Sequence, residues 1–324
     1  MSVVTRHAVC DPSMRAALGE LAPLFYEGGA DAAADHPAHV RAASGVRRWA
    51  GRLVMVQDDT LVLALRDDAG VVAPLLLPTG PDGLRVHDTV RGTKHEKMDL
   101  EACVTLPDGR FVGLGSGSTQ RRERLVVVTE GEAPRVVDAR AMYAALRAAT
   151  EFSGTELNVE GALVTDGALR LFQRGNGAPK AGALPAHASA EFSLLPWLDW
   201  LDRGGPLPAL SKITRYALGQ VQGVAFGFTD AAALPDGRVA FLAAAEDSAD
   251  TFRDGAVLGC IFGVIEGERV RTCEVAVEGL SRCPKLEGIE VLACEGDALR
   301  FAVVADVDAP EVPALFGILK VHCG

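Results

Sequence analysis

Short hydrophobic stretches alternate with polar turns along most of this chain, and one pattern recurs at a nearly constant interval. An acidic residue opens a hydrophobic stretch, a turn with glycine follows, and a second hydrophobic stretch ends in polar residues. Clear copies begin at Leu100, Val159, Thr229 and Leu286, and a weaker copy begins at Ser44. Short apolar stretches bounded by Gly, Pro and Asp are typical of β-strands. The pattern therefore predicts an all-β protein.

The interval between copies predicts how the strands are organised. The anchor positions 44, 101, 160, 230 and 287 are separated by 57, 59, 70 and 57 residues, enough for one four-stranded sheet per copy. Repeats of this length indicate a β-propeller, in which sheets stand as blades around a channel. We therefore predict a five-bladed β-propeller in one domain over residues 1–324, with blades that start near 44, 100, 159, 229 and 286.

The last repeat predicts how the ring closes. Only 37 residues follow position 287, about one strand too few for a complete blade. The stretch Val3–Val9 has strand-like composition, so we predict that this N-terminal strand completes the last blade and covers its edge. Residues 1–43 would then supply the closing strand and, over 11–41, a helix-and-loop connection.

Two segments depart from the strand pattern. Ala139–Ala149 is rich in alanine and carries Met142, Tyr143 and Leu146 at helical spacing, which predicts a helix on the rim. The segment 178–211 contains five prolines. Its composition favours a loop that is a surface insertion, with a lid over the channel as the alternative.

The anchors predict a chemical site because the first strand of each blade lines the central channel. The side chains expected to converge there are Ser44, Glu101, Glu160, Asp230 and Glu287. Crowded carboxylates raise one another's pKa unless a cation compensates them. Oxygen ligands at irregular angles favour Ca²⁺, with Mg²⁺ as the alternative. The competing interpretation is that these carboxylates only hydrate the channel and accept hydrogen bonds from neighbouring strands.

Residues after each second strand, and residues just before the anchors, are expected at the same mouth of the channel. From these two sets we predict the catalytic side chains Asp58, Asp59, Lys97, Arg174 and Lys285. A carboxylate would position or deprotonate an attacking water, and the cations would stabilise developing negative charge.

The composition and charge of the chain limit the kinds of partner that it can bind. A formal net charge of −11 argues against nucleic acid, although a small anionic or phosphorylated ligand could bind locally. No apolar stretch reaches the roughly 18 residues of a membrane span, so no membrane partner is expected. The N-terminus lacks the features of a secretory signal, which predicts a cytoplasmic protein. The seven cysteines form no Cys-x-x-Cys pair and are expected to be reduced thiols.

The spacing and the ring composition resemble a known family. The stretches that carry the resemblance are Val56–Thr60, Leu100–Glu101, Phe226–Asp230 and Lys285–Glu290. They resemble the soluble calcium-dependent nucleotidases, the apyrase family, which implies a five-bladed propeller with Ca²⁺ on its axis that hydrolyses nucleoside di- and triphosphates. The strands opened by Glu-Gly also resemble those of bacterial phytase-like esterase propellers.

Three functions follow as alternatives. The first, which we favour from the sequence, is a calcium-dependent hydrolase of a phosphate ester or phosphoanhydride. The second is a non-catalytic propeller that binds a ligand or partner and keeps a structural axial ion. The third is a metal-dependent lactone or carboxylic-ester hydrolase in which His95 shuttles a proton.

Overall fold

The computed structural model describes residues 3–180, 182–247, 255–277 and 283–324, and these ranges are mostly β-strand. Three short strands come first: β1 Val4–Cys10, β2 Arg15–Leu18 and β3 Ala22–Pro23. The remaining strands form units that are antiparallel and mostly four-stranded. We number these units one to five in chain order.

Units one and two are each complete within one stretch of sequence. Unit one consists of β4 Ala43–Trp49, β5 Arg52–Gln57, β6 Val62–Arg66 and β7 Val72–Leu76. Unit two consists of β8 Leu100–Thr105, β9 Phe111–Gly115, β10 Arg124–Val128 and β11 Arg135–Asp138. Short 3₁₀ turns lie at Lys94–Glu96 and Gln120–Arg122.

Units three to five follow after two helices, α1 Arg140–Ala148 and α2 Thr150–Ser153. Unit three consists of β12 Val159–Thr165, β13 Ala168–Gln173, β14 Ala188–Ser193 and β15 Ser211–Ala217, with α3 Leu194–Arg203 between its last two strands. A small hairpin, β16 Gln220–Val221 and β17 Val224–Ala225, precedes unit four. Unit four consists of β18 Gly227–Ala233, β19 Val239–Asp247, β20 Ala256–Glu266 and β21 Arg269–Val277. Unit five has three strands of its own, β22 Lys285–Glu295, β23 Ala298–Asp306 and β24 Leu315–His322.

The first strands of the five units contact one another in cyclic order. Strand β4 contacts β8, β8 contacts β12, β12 contacts β18, β18 contacts β22, and β22 contacts β4 again. Hydrophobic clusters lie between neighbouring units: units one and two, two and three, three and four, four and five, and five and one each share a buried cluster. Burial of apolar area between the faces of neighbouring sheets therefore stabilises this radial arrangement.

The N-terminal strands join units three, four and five. Strand β1 pairs in parallel with β15 and then with β21, the last strands of units three and four. Strand β2 continues along β21 and pairs antiparallel with β24, so it is the fourth strand of unit five. The prediction that Val3–Val9 completes the last sheet was therefore wrong. That place belongs to Arg15–Leu18, because the chain crosses two other units first.

Two further segments differ from prediction. Residues 11–41, expected as a helix and loop, contain β2 and β3 and no helix. The proline-rich segment 178–211 was expected as an insertion, but it supplies the third strand of unit three and α3, in which Trp197 is fully buried. Its prolines lie outside β14, so they leave that ladder intact.

The helix predicted at Ala139–Ala149 is confirmed. It spans Arg140–Ala148 and buries Met142, Tyr143 and Leu146 against units two and three. Within the described ranges, no helix has the length and apolar character needed to cross a membrane.

Candidate functional site

Each first strand carries a β-bulge near its start, and the bulges explain how side chains reach the axis. Near the start of every first strand, the ladder with the second strand shifts register at one residue, and these residues are Ser44, Glu101, Glu160, Thr229 and Glu287. A bulge leaves one residue unpaired and re-aims its side chain. The equivalent residue of unit four is therefore Thr229, whereas the predicted anchor Asp230 pairs regularly with Leu242.

A polar cavity of about 140 Å³ is lined by the bulged residues of units one, two, three and five, whereas Thr229 of unit four is not part of its wall. Four of the five predicted ring residues line it, namely Ser44, Glu101, Glu160 and Glu287. All five predicted catalytic side chains line it as well, namely Asp58, Asp59, Lys97, Arg174 and Lys285. The structure thus brings nine of the ten predicted site residues to one cavity.

The tenth residue, Asp230, lies apart from the cavity wall in an ion pair with Arg47. The guanidinium nitrogens of Arg47 donate to both carboxylate oxygens, at 2.8 and 2.7 Å, and both side chains are almost completely buried. Asp230 also accepts the backbone N–H groups of Ile289 and Ala231. Its oxygens are therefore occupied by hydrogen-bond donors, and the structure does not bring Asp230 to the cavity with the other predicted ring residues.

Arg47 joins several units at this point. Besides Asp230, its guanidinium donates to the backbone carbonyls of Ile289, Ala162 and Ala231, at 2.8, 2.9 and 2.7 Å. These carbonyls belong to units five, three and four, and Arg47 itself belongs to unit one. A single buried cation therefore ties four units together beside the axis.

The cavity carries a large excess of negative charge. Ten carboxylates line it, against five lysine and arginine side chains. Ionised carboxylates at such density in a partly desolvated site repel one another, so protons or added cations must compensate the excess. The individual pairings show which carboxylates the protein's own cations already neutralise.

Lys97 neutralises one pair of carboxylates. Its Nζ lies 2.7 Å from Asp58 Oδ2 and 2.6 Å from Asp99 Oδ1. Asp99 also lies 2.8 Å from Arg122 and accepts a hydrogen bond from the Ser116 hydroxyl. Burial opposes ionisation of Asp99, but the charges of Lys97 and Arg122 outweigh it and lower the pKa of Asp99.

Glu101 is half-buried and lies beside three other carboxylates, with Lys97 as the charge that opposes them. Among the described residues it makes neither a hydrogen bond nor an ion pair. Burial raises its pKa well above the usual range, and the neighbouring Glu160, Asp99 and Asp58 carboxylates raise it further. Glu101 therefore needs either a proton or a cation.

The oxygens around Glu101 fit a cation. One oxygen each from Asp58, Asp99 and Glu101 lies within 4.8 Å of the other two. Two ligand oxygens of a calcium ion, each at about 2.3–2.6 Å, stand at most about 5 Å apart, so the three oxygens match that ion. The donor set contains only oxygen, which favours Ca²⁺ or Mg²⁺ over zinc. This set shares Glu101 with the predicted ring but takes its other members from the mouth.

Glu160 lies in a second cluster. Its Oε1 accepts from Asn158 at 2.6 Å and lies 3.2 Å from Arg174, which also pairs with Glu246. Burial raises the pKa of Glu160 to about 7 despite Arg174, and nearby Glu287 contributes. A carboxylate with that pKa exchanges protons near neutral pH.

Lys285 is the cation that pairs with carboxylates of units four and five. Its Nζ lies 2.7 Å from Glu287 Oε1 and 3.3 Å from Glu246 Oε2. The other Glu287 oxygen is buried without a hydrogen-bond partner. Burial raises the pKa of Asp306 well above its usual range, with Asp58 and Asp308 contributing. Glu101, Glu287 and Asp306 together carry more negative charge than Lys285 neutralises, so a bound cation would improve the charge balance of the cavity.

Asp59 and one histidine, His87, complete the wall. Asp59 Oδ2 accepts from Arg41 at 2.6 and 2.8 Å, yet burial and then Asp58 raise the pKa of Asp59 to about 6. His95, predicted as a proton shuttle, has a side chain that is 73% exposed and does not line the cavity. His87 lines it instead, with Nε2 3.2 Å from an Asp82 carboxylate oxygen.

Sequence reasoning missed Arg41, Arg122 and His87. None of them lies in the repeated pattern, because they come from connections between strands. A repeated glutamine was one signal in the sequence that could have located connections of this kind. Gln57 and Gln173 end the second strands of units one and three. Their side-chain oxygens accept the backbone N–H groups of Arg41 and Asn158, at 2.7 and 2.8 Å.

The fold and site define a class of protein: a β-propeller with an acidic, cation-compatible cavity on its axis. Within that class the chain belongs to a family of unknown function, DUF6929, which matches residues 39–321. A comparison with curated proteins gave no match. The resemblance to calcium-dependent nucleotidases remains a prediction.

Several solved structures are similar in backbone course. A hypothetical protein from Leishmania major is 12% identical with a TM-score of 0.46, over 94% of this chain and 89% of its own. A virginiamycin B lyase from Staphylococcus aureus is 11% identical with a TM-score of 0.41, over 95% and 99%. A gluconolactonase from Xanthomonas campestris is 14% identical with a TM-score of 0.40, over 97% and 99%. Similarity at this level says nothing about chemistry.

Proposed function

We propose that this protein is a five-bladed β-propeller, closed by Arg15–Leu18, whose axial cavity binds a divalent cation and hydrolyses a small carboxylic ester or lactone. The cyclic contacts of the first strands support the blade count. The observation that carries the function is Glu101, a half-buried carboxylate with no hydrogen bond or ion pair to any described residue, with oxygens of Asp58 and Asp99 within 4.8 Å. Calcium is the expected ion and magnesium the alternative.

The charge of the cavity favours an uncharged substrate over a phosphate ester. The three cations predicted to bind phosphate are already paired: Lys97 with Asp58 and Asp99, Arg174 with Glu160 and Glu246, and Lys285 with Glu287. A polyanion would have to displace these carboxylates inside a cavity that is negative overall. An ester or lactone carbonyl carries no such penalty.

In this proposal, different residues hold the cation, accept the proton and orient the proton acceptor. Asp58, Asp99 and Glu101 would hold the cation, which when bound supplies positive charge that polarises a carbonyl oxygen. Glu160, with a pKa of about 7, would accept a proton from the water that attacks the carbonyl carbon, and would return it to the alkoxide oxygen as the acyl C–O bond breaks. Arg174 orients Glu160 through the 3.2 Å contact.

The test is a substrate panel with metal controls. Purified protein is assayed with lactones, carboxylic esters, nucleotides and sugar phosphates in Ca²⁺, in Mg²⁺ and in EDTA. We expect cation-dependent hydrolysis of at least one lactone or ester, and its loss in Glu101→Gln. Release of phosphate instead would restore the nucleotidase prediction, and no hydrolysis in any condition would refute an enzymatic function.

A second candidate function follows from Lys97. Because its ammonium already contacts Asp58 and Asp99 at 2.7 and 2.6 Å, it can take the place of a metal ion. The protein would then be a non-catalytic propeller that binds a ligand in the cavity. Titration with Ca²⁺ in a calorimeter separates the two, since this candidate predicts no binding in the wild type and binding in Lys97→Met.

A further inference from the structure

A second cleft adjoins the axial cavity. It has a volume of about 380 Å³ and shares Arg174, Asn176 and Glu246 with the wall of the cavity. The two spaces therefore lie next to each other and share three wall residues. A ligand whose reactive group lies in the cavity can extend past these side chains into the cleft.

The chemistry of the cleft differs from that of the cavity. Its remaining wall is mostly apolar or glycine, with Leu184, Pro185, Val224, Ala225 and Ala244 as the apolar members. The two charged groups at its inner end, Arg174 and Glu246, neutralise each other in an ion pair. The cleft consequently suits an uncharged, apolar group.

The cleft is built by defined elements. One side is the hairpin β16–β17, whose second strand contacts β19, and the other side is formed by residues 175–177 together with Leu184 and Pro185. The ring of His187 makes a hydrogen bond to the Arg174 carbonyl. At Gly227 a Cβ atom would lie only 2.6 Å from that carbonyl oxygen, so a glycine is required where unit four passes the wall.

The size and exposure of the apolar wall indicate its occupant. A dry cavity of about 150 Å³ holds benzene, so this cleft has room for a larger alkyl or aromatic group. Leu184 on its wall is 69% exposed, so it presents apolar surface at the opening of the cleft. We infer that the cleft binds the apolar acyl or alkyl part of the substrate, while the carbonyl lies in the axial cavity. The carbonyl part of this inference rests on the proposed ester or lactone hydrolysis.

The experiment uses a series of straight-chain amides from acetamide to octanamide, which carry a carbonyl and resist hydrolysis. Their dissociation constants are measured by calorimetry on the full chain with Ca²⁺. Each methylene that enters an apolar site raises affinity about fourfold, so we expect this slope until the cleft is full. A dissociation constant independent of chain length would overturn the inference.

Two matched variants locate the effect. Ala225→Trp fills the cleft and is expected to abolish the chain-length dependence. Gln220→Trp introduces the same side chain at the cross-strand partner of Ala225, outside the cleft wall, and is expected to preserve it. Leu184→Asp, at an exposed position, is a second disrupting variant that does not depend on the hairpin. An equal loss in Gln220→Trp would contradict the assignment.

The outcomes separate this inference from the proposed function. If the amides show the slope and Ala225→Trp removes it, but no ester or lactone is hydrolysed, the cleft is an apolar binding site and the hydrolase proposal fails. If short and long esters are hydrolysed equally well, and the amides show no slope, the hydrolase stands and the inference about the cleft is overturned.

Discussion

The ion pair between Arg47 and Asp230 permits a quantitative test of the axial architecture. In Arg47→Met the Asp230 carboxylate stays buried with only two backbone N–H donors, and the carbonyls of Ile289, Ala162 and Ala231 each lose a donor. Removing one partner of a buried pair costs about 3–5 kcal/mol. Each carbonyl that loses its donor adds about 1 kcal/mol or more where water does not replace the donor.

We therefore expect Arg47→Met to lower the free energy of unfolding by at least about 5 kcal/mol, measured by urea denaturation. At about 2 °C per kcal/mol for a chain of this size, the melting temperature would fall by roughly 10 °C. In the double variant Arg47→Met, Asp230→Leu the unpaired charge is gone, so we expect recovery of about 2 kcal/mol or more relative to the sum of the single changes.

Two results would refute this reasoning. One is a loss below about 1 kcal/mol in Arg47→Met, which would show that the pair is not buried in solution. The other concerns the role of Asp230. Because its oxygens are occupied by Arg47, Asp230→Asn should leave the calcium dissociation constant of the folded protein unchanged, and a tenfold weakening would restore it as a metal ligand.

Three further predictions address the cavity and the N-terminal strands. Calcium at about one hundred times its dissociation constant should stabilise the wild type by about 2.7 kcal/mol in a thermal melt, and Glu101→Gln should lose that gain without losing its fold. Without a divalent cation, the free energy of unfolding should rise as pH falls from 8 to 6. The pKa values of Glu160 and Asp59 are raised in the folded state, to about 7 and about 6, so the folded state binds more protons than the unfolded state. Saturating Ca²⁺ should flatten this dependence, and a rise in stability toward pH 8 without the cation would contradict the prediction. Removal of residues 1–10 deletes β1 and should cost about 3 kcal/mol from lost ladder hydrogen bonds, with self-association visible by size-exclusion chromatography because the edges of β15 and β21 are exposed.

The repeat period predicted the β-strand units because each unit repeats the same order of strand, turn and strand. The period does not determine which of two neighbouring residues occupies the bulge of a strand. At Thr229-Asp230 both residues are polar, and only the ladder to β19 shows that the bulge falls on Thr229. A shift of one residue in a strand turns a side chain to the opposite face, which is how Asp230 became a partner of Arg47.

Long-range pairing was the other gap. Arg15–Leu18 has no local feature that distinguishes it from a loop, and its role depends on β21 and β24 far along the chain. In the site, residue types and the convergence of nine side chains were predictable. Which cation pairs with which carboxylate was not, because Lys97, Arg174 and Lys285 each contact carboxylates on elements separated in sequence.

The crossing of β1 and β2 over three units has a consequence for biosynthesis. During translation, β1 and β2 are made before the units that they join. The strand with which β2 pairs to complete unit five, β24 at Leu315–His322, is made only after the other four units. At about 5–20 residues per second, roughly 15–60 seconds separate their appearance at the ribosome. During that time β2 lacks its antiparallel partner, so a chaperone that shields it, or a bulky fusion placed ahead of it, would affect the yield of native protein.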